Sequence, residues 1–156
     1  MSVTSQRSSA TEIGVFRVVD VMCGIDILQI QEIKKIHAHT VVHRAPPYVR
    51  GLVNMRGHIV TLIDVGHRLG LDPTPLDRPT HAIIVSLRGD LVGLLVDEVN
   101  DVIAVESQDI LPAPANLAGL EGHFFEAVAR TNDGLIAVLD MNRIAGAAMA
   151  QSSSPN

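Results

Sequence analysis

The stretch GLVNMRGHIVTLIDV, residues 51–65, carries the pattern from which the architecture of this chain can be read. Two apolar runs flank the pair Arg56-Gly57, and this arrangement predicts two strands joined by a tight hairpin. Gly57 supplies the backbone freedom that such a turn needs, and the side chain of Asn54 can bond to the turn's own backbone.

Similar β-rich runs recur along the chain, and two of the intervening turns, residues 88–90 and 132–134, have strong hairpin sequences. Hydrophobic residues make up 47% of the chain but aromatic residues only 3%, so the core must consist of aliphatic side chains, many of them β-branched. The predicted strands cover residues 15–21, 24–28, 40–42, 52–55, 59–64, 82–87, 91–96, 99–105, 125–131 and 135–139.

Helical signals are few and short. Isoleucines at positions 30, 33 and 36 can line one face of a helix of one or two turns. Asp64 can cap a short helix over residues 65–69, and Asp140 can cap a final helix that begins at Met141.

The polar, serine-rich ends, residues 1–12 and 150–156, are predicted to be disordered tails around a single domain over residues 13–149. Within that domain, the Pro- and Asp-rich segment 69–79 is predicted to be an exposed link between two halves.

The two halves resemble each other in sequence. Residues 24–33 align with residues 93–102 without a gap, and residues 57–64 align with residues 134–140 when one residue is deleted. So irregular a repeat indicates two similar β lobes rather than a solenoid; chance similarity between two β-rich segments is the alternative.

The repeat isolates what is unusual about Arg56. Where the first half reads NMRG (54–57), the second reads TNDG (131–134), which is ordinary turn chemistry. Turn formation therefore requires neither the apolar arm of Met55 nor the guanidinium of Arg56. We interpret the pair as part of an interaction site; a solvated arginine is the alternative.

Composition excludes several classes of function. The net charge of −5 and the absence of a basic stripe argue against nucleic-acid binding. The single cysteine, Cys23, rules out an intrachain disulfide and thiolate-rich metal sites. No apolar run approaches the ~20 residues that span a bilayer, and the polar N-terminus is not a signal peptide. We therefore expect a cytoplasmic protein without membrane insertion.

The motifs GxSxG, GxGxxG and GxxxxGK(S/T) are all absent, so we predict a binding protein rather than an enzyme, and no cofactor. His37, His39 and His43 lie close together in sequence, but no carboxylate or cysteine completes a standard metal site. No metal is predicted, and a histidine-based metal-binding β protein is the rival hypothesis.

Apolar residues surround the predicted bend of the first hairpin, where polar residues are usual. Val19, Val21 and Met22 lie there. Exposed aliphatic side chains at a sheet edge often mark an interface, so Val19 and Val21 are candidate partner-binding residues. Burial in the core is the alternative.

Three segments in combination resemble the CheW family of bacterial chemotaxis coupling proteins: GIDILQIQEI (24–33), GLVNMRGHIVTLIDV (51–65) and VGLLVDEVNDVI (92–103). The resemblance covers nearly the whole predicted domain. It implies a mainly β fold of two SH3-like, five-stranded β-barrel lobes packed around a shared aliphatic core, which agrees with the repeat.

The resemblance further implies an adaptor that holds the cytoplasmic tips of methyl-accepting chemoreceptors to the regulatory domain of the histidine kinase CheA, in arrays at the membrane. The groove between the barrels would meet the receptor, and a sheet edge of the first barrel would meet the kinase. A CheW-like scaffold of another chemosensory pathway, for pilus motility or gene regulation, is the alternative function.

By the motif match, Arg56 is the arginine that the family uses in coupling, and Glu32 is the acidic neighbour that would orient its guanidinium. The chain departs from the family's pattern at VDVM (19–22), where relatives often have polar, acidic residues, and at Cys23, where an aromatic is common. These changes bear on which kinase and receptors are recognised rather than on the fold.

Overall fold

The computed structural model describes residues 10–72, 80–117 and 119–152, and from residue 147 onward it describes the backbone alone. In these ranges the chain is mainly β with few, mostly short helices, as the sequence predicts. Strands β1 to β13 are, in chain order, Thr11–Val18, Val21–Asp26, Ile30–Ile36, Val49–Met55, His58–Asp64, Thr80–Leu87, Asp90–Val96, Glu98–Val105, Ile110–Pro112, Asn116–Leu117, Leu120–Glu121, Phe125–Thr131 and Gly134–Leu139.

Two sheets make up the two predicted lobes. The six-stranded lobe has the strand order β8-β1-β2-β13-β12-β9, and the five-stranded lobe has the order β3-β6-β7-β5-β4. Strands β10 and β11 form a separate ribbon. The two-lobed β fold is confirmed, but one lobe has six strands instead of five, and the described pairings leave each sheet with two edge strands rather than a closed ring.

Each lobe draws its strands from both halves of the chain, so neither lobe corresponds to one half of the sequence. The hairpin β1-β2 completes the sheet of β8, β12 and β13, whereas the hairpin β6-β7 completes the sheet of β3, β4 and β5. Parallel pairings attach the hairpins, β2 beside β13 and β7 beside β5. The halves are therefore interlocked, because each supplies a hairpin to the other's sheet.

The sheet registers support the internal repeat. Gly24 pairs with Val138 in the six-stranded lobe, and Gly93 pairs with Leu62 in the five-stranded lobe, so the two glycines occupy matching positions. A Cβ atom on Gly24 would lie 2.5 Å from Ile13 Cγ2, and a Cβ atom on Gly93 would lie 2.8 Å from Leu62 Cδ2. Each glycine lets apolar side chains inside a lobe pack directly against strand backbone.

The registers also correct one detail of the sequence alignment. In both the β4-β5 and the β12-β13 hairpins the turn contains two residues. Strand β5 therefore aligns with residues 134–140 without a deletion, and Gly57 aligns with Asp133 instead of Gly134. Matching the glycines was misleading, because register follows the alternation of buried and exposed side chains rather than the position of a turn glycine.

Two helices follow matching hairpins: α1 is Val65–Arg68, and α2 is Met141–Ser152 with a kink at Gly146. The side chain of Asp64 accepts a hydrogen bond from the backbone N–H of His67, and the side chain of Asp140 accepts one from the N–H of Arg143, each at 3.2 Å. Both predicted N-terminal caps are confirmed.

Two local predictions are wrong, besides the strand over residues 15–21, which the β1-β2 turn at residues 19–20 interrupts. The isoleucines at positions 30, 33 and 36 belong to strand β3 and not to a helix; a 3₁₀ turn over Ile27–Gln29 precedes that strand. The predicted strand over residues 40–42 is reduced to one isolated bridge between Thr40 and Leu52. Isoleucine is stiff at χ1 and fits a strand better than a helix, which explains the first error.

Three clusters of buried apolar side chains stabilise this arrangement. The largest lies between the lobes and consists mostly of aliphatic side chains such as Ile63 and Leu94, so the predicted shared aliphatic core is confirmed, although Phe16, Tyr48, Phe124 and Phe125 also belong to it. A smaller cluster fills each lobe: Ile13, Val15, Val105, Ala129, Ile136 and Val138 in the six-stranded lobe, and Val60, Leu62, Ala82, Ile84 and Leu95 in the five-stranded lobe.

Arg68, at the end of α1, contacts residues of both lobes. Its guanidinium carbon lies 4.2 Å from the ring centroid of Tyr48 and 4.9 Å from that of Phe124. The same group donates hydrogen bonds to the backbone oxygens of Ile144 and Arg143 at 3.0 and 2.8 Å. Cation–π contacts and carbonyl bonds thus join α1 of the five-stranded lobe to α2, which follows the six-stranded lobe.

Part of the predicted organisation falls outside the described residues. The predicted link 69–79 is described only as far as residue 72. The first described strand begins at Thr11 and α2 ends at Ser152, and the predicted limits of the domain and its tails stay predictions. The peptide bonds that precede Pro46 and Pro47 are trans.

Candidate partner-binding site

The candidate site is built on the hairpin turn between β4 and β5. Arg56 and Gly57 form the two-residue turn with φ angles of 54° and 84°, the signs that a type I′ turn requires. The side-chain oxygen of Asn54 accepts a hydrogen bond from the N–H of Gly57 at 3.0 Å. Left-handed backbone is unfavourable for a residue other than glycine, so the conformation of Arg56 lowers the stability of the turn.

Glu32, on the edge strand β3, binds the guanidinium of Arg56. The Nη2 atom of Arg56 lies 2.6 Å from Oε1 and 2.9 Å from Oε2 of Glu32. The arginine side chain is nevertheless 70% exposed, so the pair contributes at most about 1 kcal/mol to stability. Both contacts use one nitrogen, and Nε and Nη1 make no hydrogen bond within the described part of the chain. These donors stay available to a partner.

A cleft of about 380 Å³ opens beside this ion pair. Glu32, Met55 and Arg56 line it, so the structure brings these three predicted residues together, with Asn54 and Gly57 in the adjoining turn. The lining that sequence reasoning missed comes from β3, β5, β6, β7 and the β6-β7 turn: Gln31, His58, Ile84, Gly89 and Leu91. The parallel pairing of β5 with β7 places most of them there, and no local sequence signal reports that pairing.

Val19 and Val21 lie elsewhere, at the β1-β2 turn of the six-stranded lobe. Both are partly buried and pack against the shared core. Val19 has a φ of 54°, which is rare for a β-branched residue. Its N–H donates to the carboxylate of Asp97 and its carbonyl accepts from Arg17 Nη1 at 2.7 Å, and these bonds hold the turn in place. The two valines do not join the Arg56 cleft.

The histidines and the single cysteine are the remaining candidates for metal binding or catalysis. Among the residues that the structure describes, no three His, Cys, Asp or Glu side chains are grouped so that they could bind a metal ion. Burial raises the pKa of the Cys23 thiol to about 12, so this cysteine is a protonated core side chain and a poor nucleophile. None of the helices in the described ranges is long and apolar enough to cross a membrane.

The fold is thus a pair of interlocked β lobes around a mostly aliphatic core, and the candidate site is an exposed arginine held beside a cleft. The sequence model of the CheW-like domain matches residues 12–149. The chain therefore belongs to the CheW-like domain family. Scaffold proteins of this family are not enzymes, and the prediction of a non-enzymatic chemotaxis scaffold is confirmed at that level.

Individual relatives agree with this assignment. The probable chemotaxis protein CheW of Rhizobium etli is 31% identical over 145 residues, which cover 92% of each chain. The chemotaxis protein CheW of Bacillus subtilis is 29% identical over 153 residues, 98% of each chain. The crystal structure of the scaffolding protein TtCheW from Thermoanaerobacter tengcongensis superimposes with a TM-score of 0.76 at 30% identity, over 83% of this chain and 88% of that one.

Proposed function

We propose that this protein is a cytoplasmic adaptor that couples the tips of chemoreceptors to the regulatory domain of the histidine kinase CheA, at receptor arrays on the membrane. One observation carries the proposal. In a chain of the CheW-like family, Arg56 is held at the mouth of a cleft, and two of its three guanidinium nitrogens make no hydrogen bond to any residue that the structure describes. An arginine that is strained, exposed and oriented is better suited to a partner than to the fold.

In this proposal Arg56 supplies the contact and Glu32 is a positioning residue. Both carboxylate oxygens of Glu32 bind Nη2, so one end of the guanidinium is held in place, which reduces the side-chain entropy lost when a partner binds. Met55 contributes an apolar surface in the same cleft. Asn54 and Gly57 keep the turn in the shape that presents the arginine.

Val19 and Val21 belong to a second surface in the proposal, on the other lobe. The shared core and the Arg68 contacts join the lobes. If two partners favour the same arrangement of the lobes, each strengthens the binding of the other. Contacts that are individually modest would then add up to stable attachment in an array.

The test is isothermal titration of the full chain into the purified CheA regulatory domain, followed by a titration with a receptor-tip fragment. We expect saturable binding to both partners. Truncation of an anchoring arginine typically costs about 2 kcal/mol or more of binding free energy. Arg56→Ala should therefore lower the affinity for the partner that contacts Arg56 by about 30-fold and reduce receptor-dependent kinase activation. Glu32→Gln should have a smaller effect in the same direction. The variant keeps the positive charge of Arg56 but removes the carboxylate that orients its guanidinium.

Arg88→Ala is the matched control. Arg88 also precedes a glycine in a two-residue turn, with a φ of 53°, but its guanidinium donates to Asn142 instead of lining the cleft. Both alanine variants place the same residue in the same strained backbone. If Arg56→Ala activates the kinase as well as Arg88→Ala does, the role given to Arg56 is wrong.

A further inference from the structure

The six-stranded lobe has a cleft that matches the Arg56 cleft. It measures about 260 Å³ and lies between strand β8 and the β12-β13 turn. In the edge strands β3 and β8, Ile33 and Val102 stand at the same register of the two sheets, so the residues before them, Glu32 and Asp101, occupy matching positions. The two clefts are thus repeats of one structural feature.

The two matching clefts differ in charge, because an arginine lines the cleft of the five-stranded lobe and only acidic charged residues line the other. In the five-stranded lobe the turn supplies Arg56, which binds Glu32. In the six-stranded lobe the matching turn is Asn132-Asp133, so it adds a carboxylate to Asp101 instead of a guanidinium. Within the described part of the chain, neither Asp101 nor Asp133 forms an ion pair.

Besides the two aspartates, Asn100 and Thr131 are the polar residues that line this cleft, and the remaining side chains of the lining are apolar. Met22, Ile103, Leu135 and Ile136 line it, and Leu135 is 56% exposed. A second, mostly apolar cleft of about 240 Å³ shares Met22 and Leu135 with the first. Carboxylates beside an apolar floor suit a side chain that has an apolar stem and a cationic head.

We propose that this cleft of the six-stranded lobe binds an arginine side chain from a partner protein, with apolar residues beside that arginine. The incoming guanidinium would take the place that Arg56 occupies in the five-stranded lobe. Asp101 would bind it as Glu32 binds Arg56, and Asp133 would add to the attraction. Met22 and Leu135 would contact the stem and its apolar neighbours. The inference goes beyond the proposed adaptor role, which assigns no partner to this cleft.

The experiment is a titration of the full ¹⁵N-labelled chain with the peptide acetyl-Leu-Arg-Gly-Leu-amide, followed by NMR. We expect saturable shifts of amides within residues 100–103 and 131–136, with a dissociation constant in the millimolar range. The same peptide with glutamate in place of arginine should produce no saturable shifts. Raising the salt from about 0.05 to about 0.5 M should weaken binding, because exposed charges are screened.

Variants make the test specific. Asp101→Asn should weaken peptide binding about two- to fivefold, as expected for an exposed charge pair, and Asp101→Asn with Asp133→Asn should weaken it further. Asp90→Asn is the matched control: it also removes an exposed aspartate beside a hairpin turn, but in the five-stranded lobe, and should bind as the parent does.

Three outcomes would overturn the proposal: no saturable shifts at millimolar peptide, equal shifts with the glutamate peptide, or an affinity that the aspartate variants leave unchanged. NMR spectra of the protein alone at increasing concentration test whether a second copy of this chain occupies the cleft. If amides near Arg56 and near Asp101 then shift together, the occupant is the Arg56 turn of a second copy and the assignment to another protein is wrong. None of these outcomes bears on Arg56→Ala in the kinase assay.

Discussion

Strand β4 of the five-stranded lobe and strand β12 of the six-stranded lobe share a β-bulge at the same register, yet Arg50 occupies one bulge and Glu126 the other. Arg50 donates to Asp64 Oδ2 at 2.9 Å. Glu126 instead lies near Asp140 and Asp26; its partial burial and these two carboxylates raise its pKa above the usual value for glutamate. The same backbone therefore carries an ion pair in one lobe and a cluster of like charges in the other.

Burial explains why the lobes tolerate opposite charges. The side chain of Asp64 is 0% exposed, and a buried carboxylate needs a cation or several hydrogen bonds. Asp140 is half-buried and water can solvate it. Both lobes have the bulge and the helix cap, which determine the path of the backbone. The charge of the bulge residue differs between the lobes, because the carboxylate beside it is buried in one lobe and reached by solvent in the other.

The largest expected effect comes from removing the cation in the five-stranded lobe. Arg50→Met keeps the apolar stem but takes away the guanidinium that faces the Asp64 carboxylate, and we expect a loss of about 2–3 kcal/mol in the free energy of unfolding. Urea denaturation at pH 7 measures it. Glu126→Met, the matching change in the other lobe, should not destabilise the protein; equal losses would mean that the lobes do not differ in this way.

The matching glycines come next. Gly24→Ala should destabilise the protein by about 2 kcal/mol and Gly93→Ala by about 1 kcal/mol, because overpacking a core costs about 1–3 kcal/mol. The order follows from the atoms that each Cβ meets: the γ-methyl group of Ile13 is fixed close to the backbone, whereas the δ-methyl group of Leu62 can rotate away. Thermal unfolding of both variants tests this, and the reverse order would contradict it.

The smallest expected effect concerns Glu126. A raised pKa in the folded state means that the native protein takes up a proton more readily than the unfolded chain does. The penalty from the ionised carboxylate is therefore present at neutral pH and disappears as the pH falls through the raised pKa.

Glu126→Gln should accordingly stabilise the protein at pH 7 by less than about 0.5 kcal/mol, since the group is mostly exposed. Measured by urea denaturation, the gain should shrink as the pH is lowered towards the pKa of an ordinary glutamate. Asp133→Asn, which removes an exposed carboxylate from the neighbouring turn, controls for net charge. A gain that grows on acidification would rule out this account.

Local features of this fold could be predicted from the sequence. Hairpin turns such as Arg56-Gly57 and the caps at Asp64 and Asp140 depend on neighbouring residues, and each is found where the sequence places it. The ion pair of Arg56 with Glu32 followed from a motif match. That these residues bind a partner stays a prediction.

Features that depend on distant strands could not be predicted. The exchange of hairpins rests on the pairings of β2 with β13 and β7 with β5, for which no residue carries a local signal. The bend at Val19 illustrates the same limit. Val19 is a β-branched residue in left-handed backbone, a conformation that such residues rarely adopt. Hydrogen bonds to Asp97, which is remote in the chain, and to Arg17, two residues away, stabilise it.

The interlocking of the halves also governs how the protein can be made. The first hairpin leaves the ribosome early, but Cys23 and Gly24 have to wait for Ala137 and Val138 before their parallel pairing can form. At 5–20 residues per second, that wait lasts on the order of ten seconds. During translation the nascent chain therefore exposes one unpaired edge of strand β2, which can pair with another chain until β13 has been made.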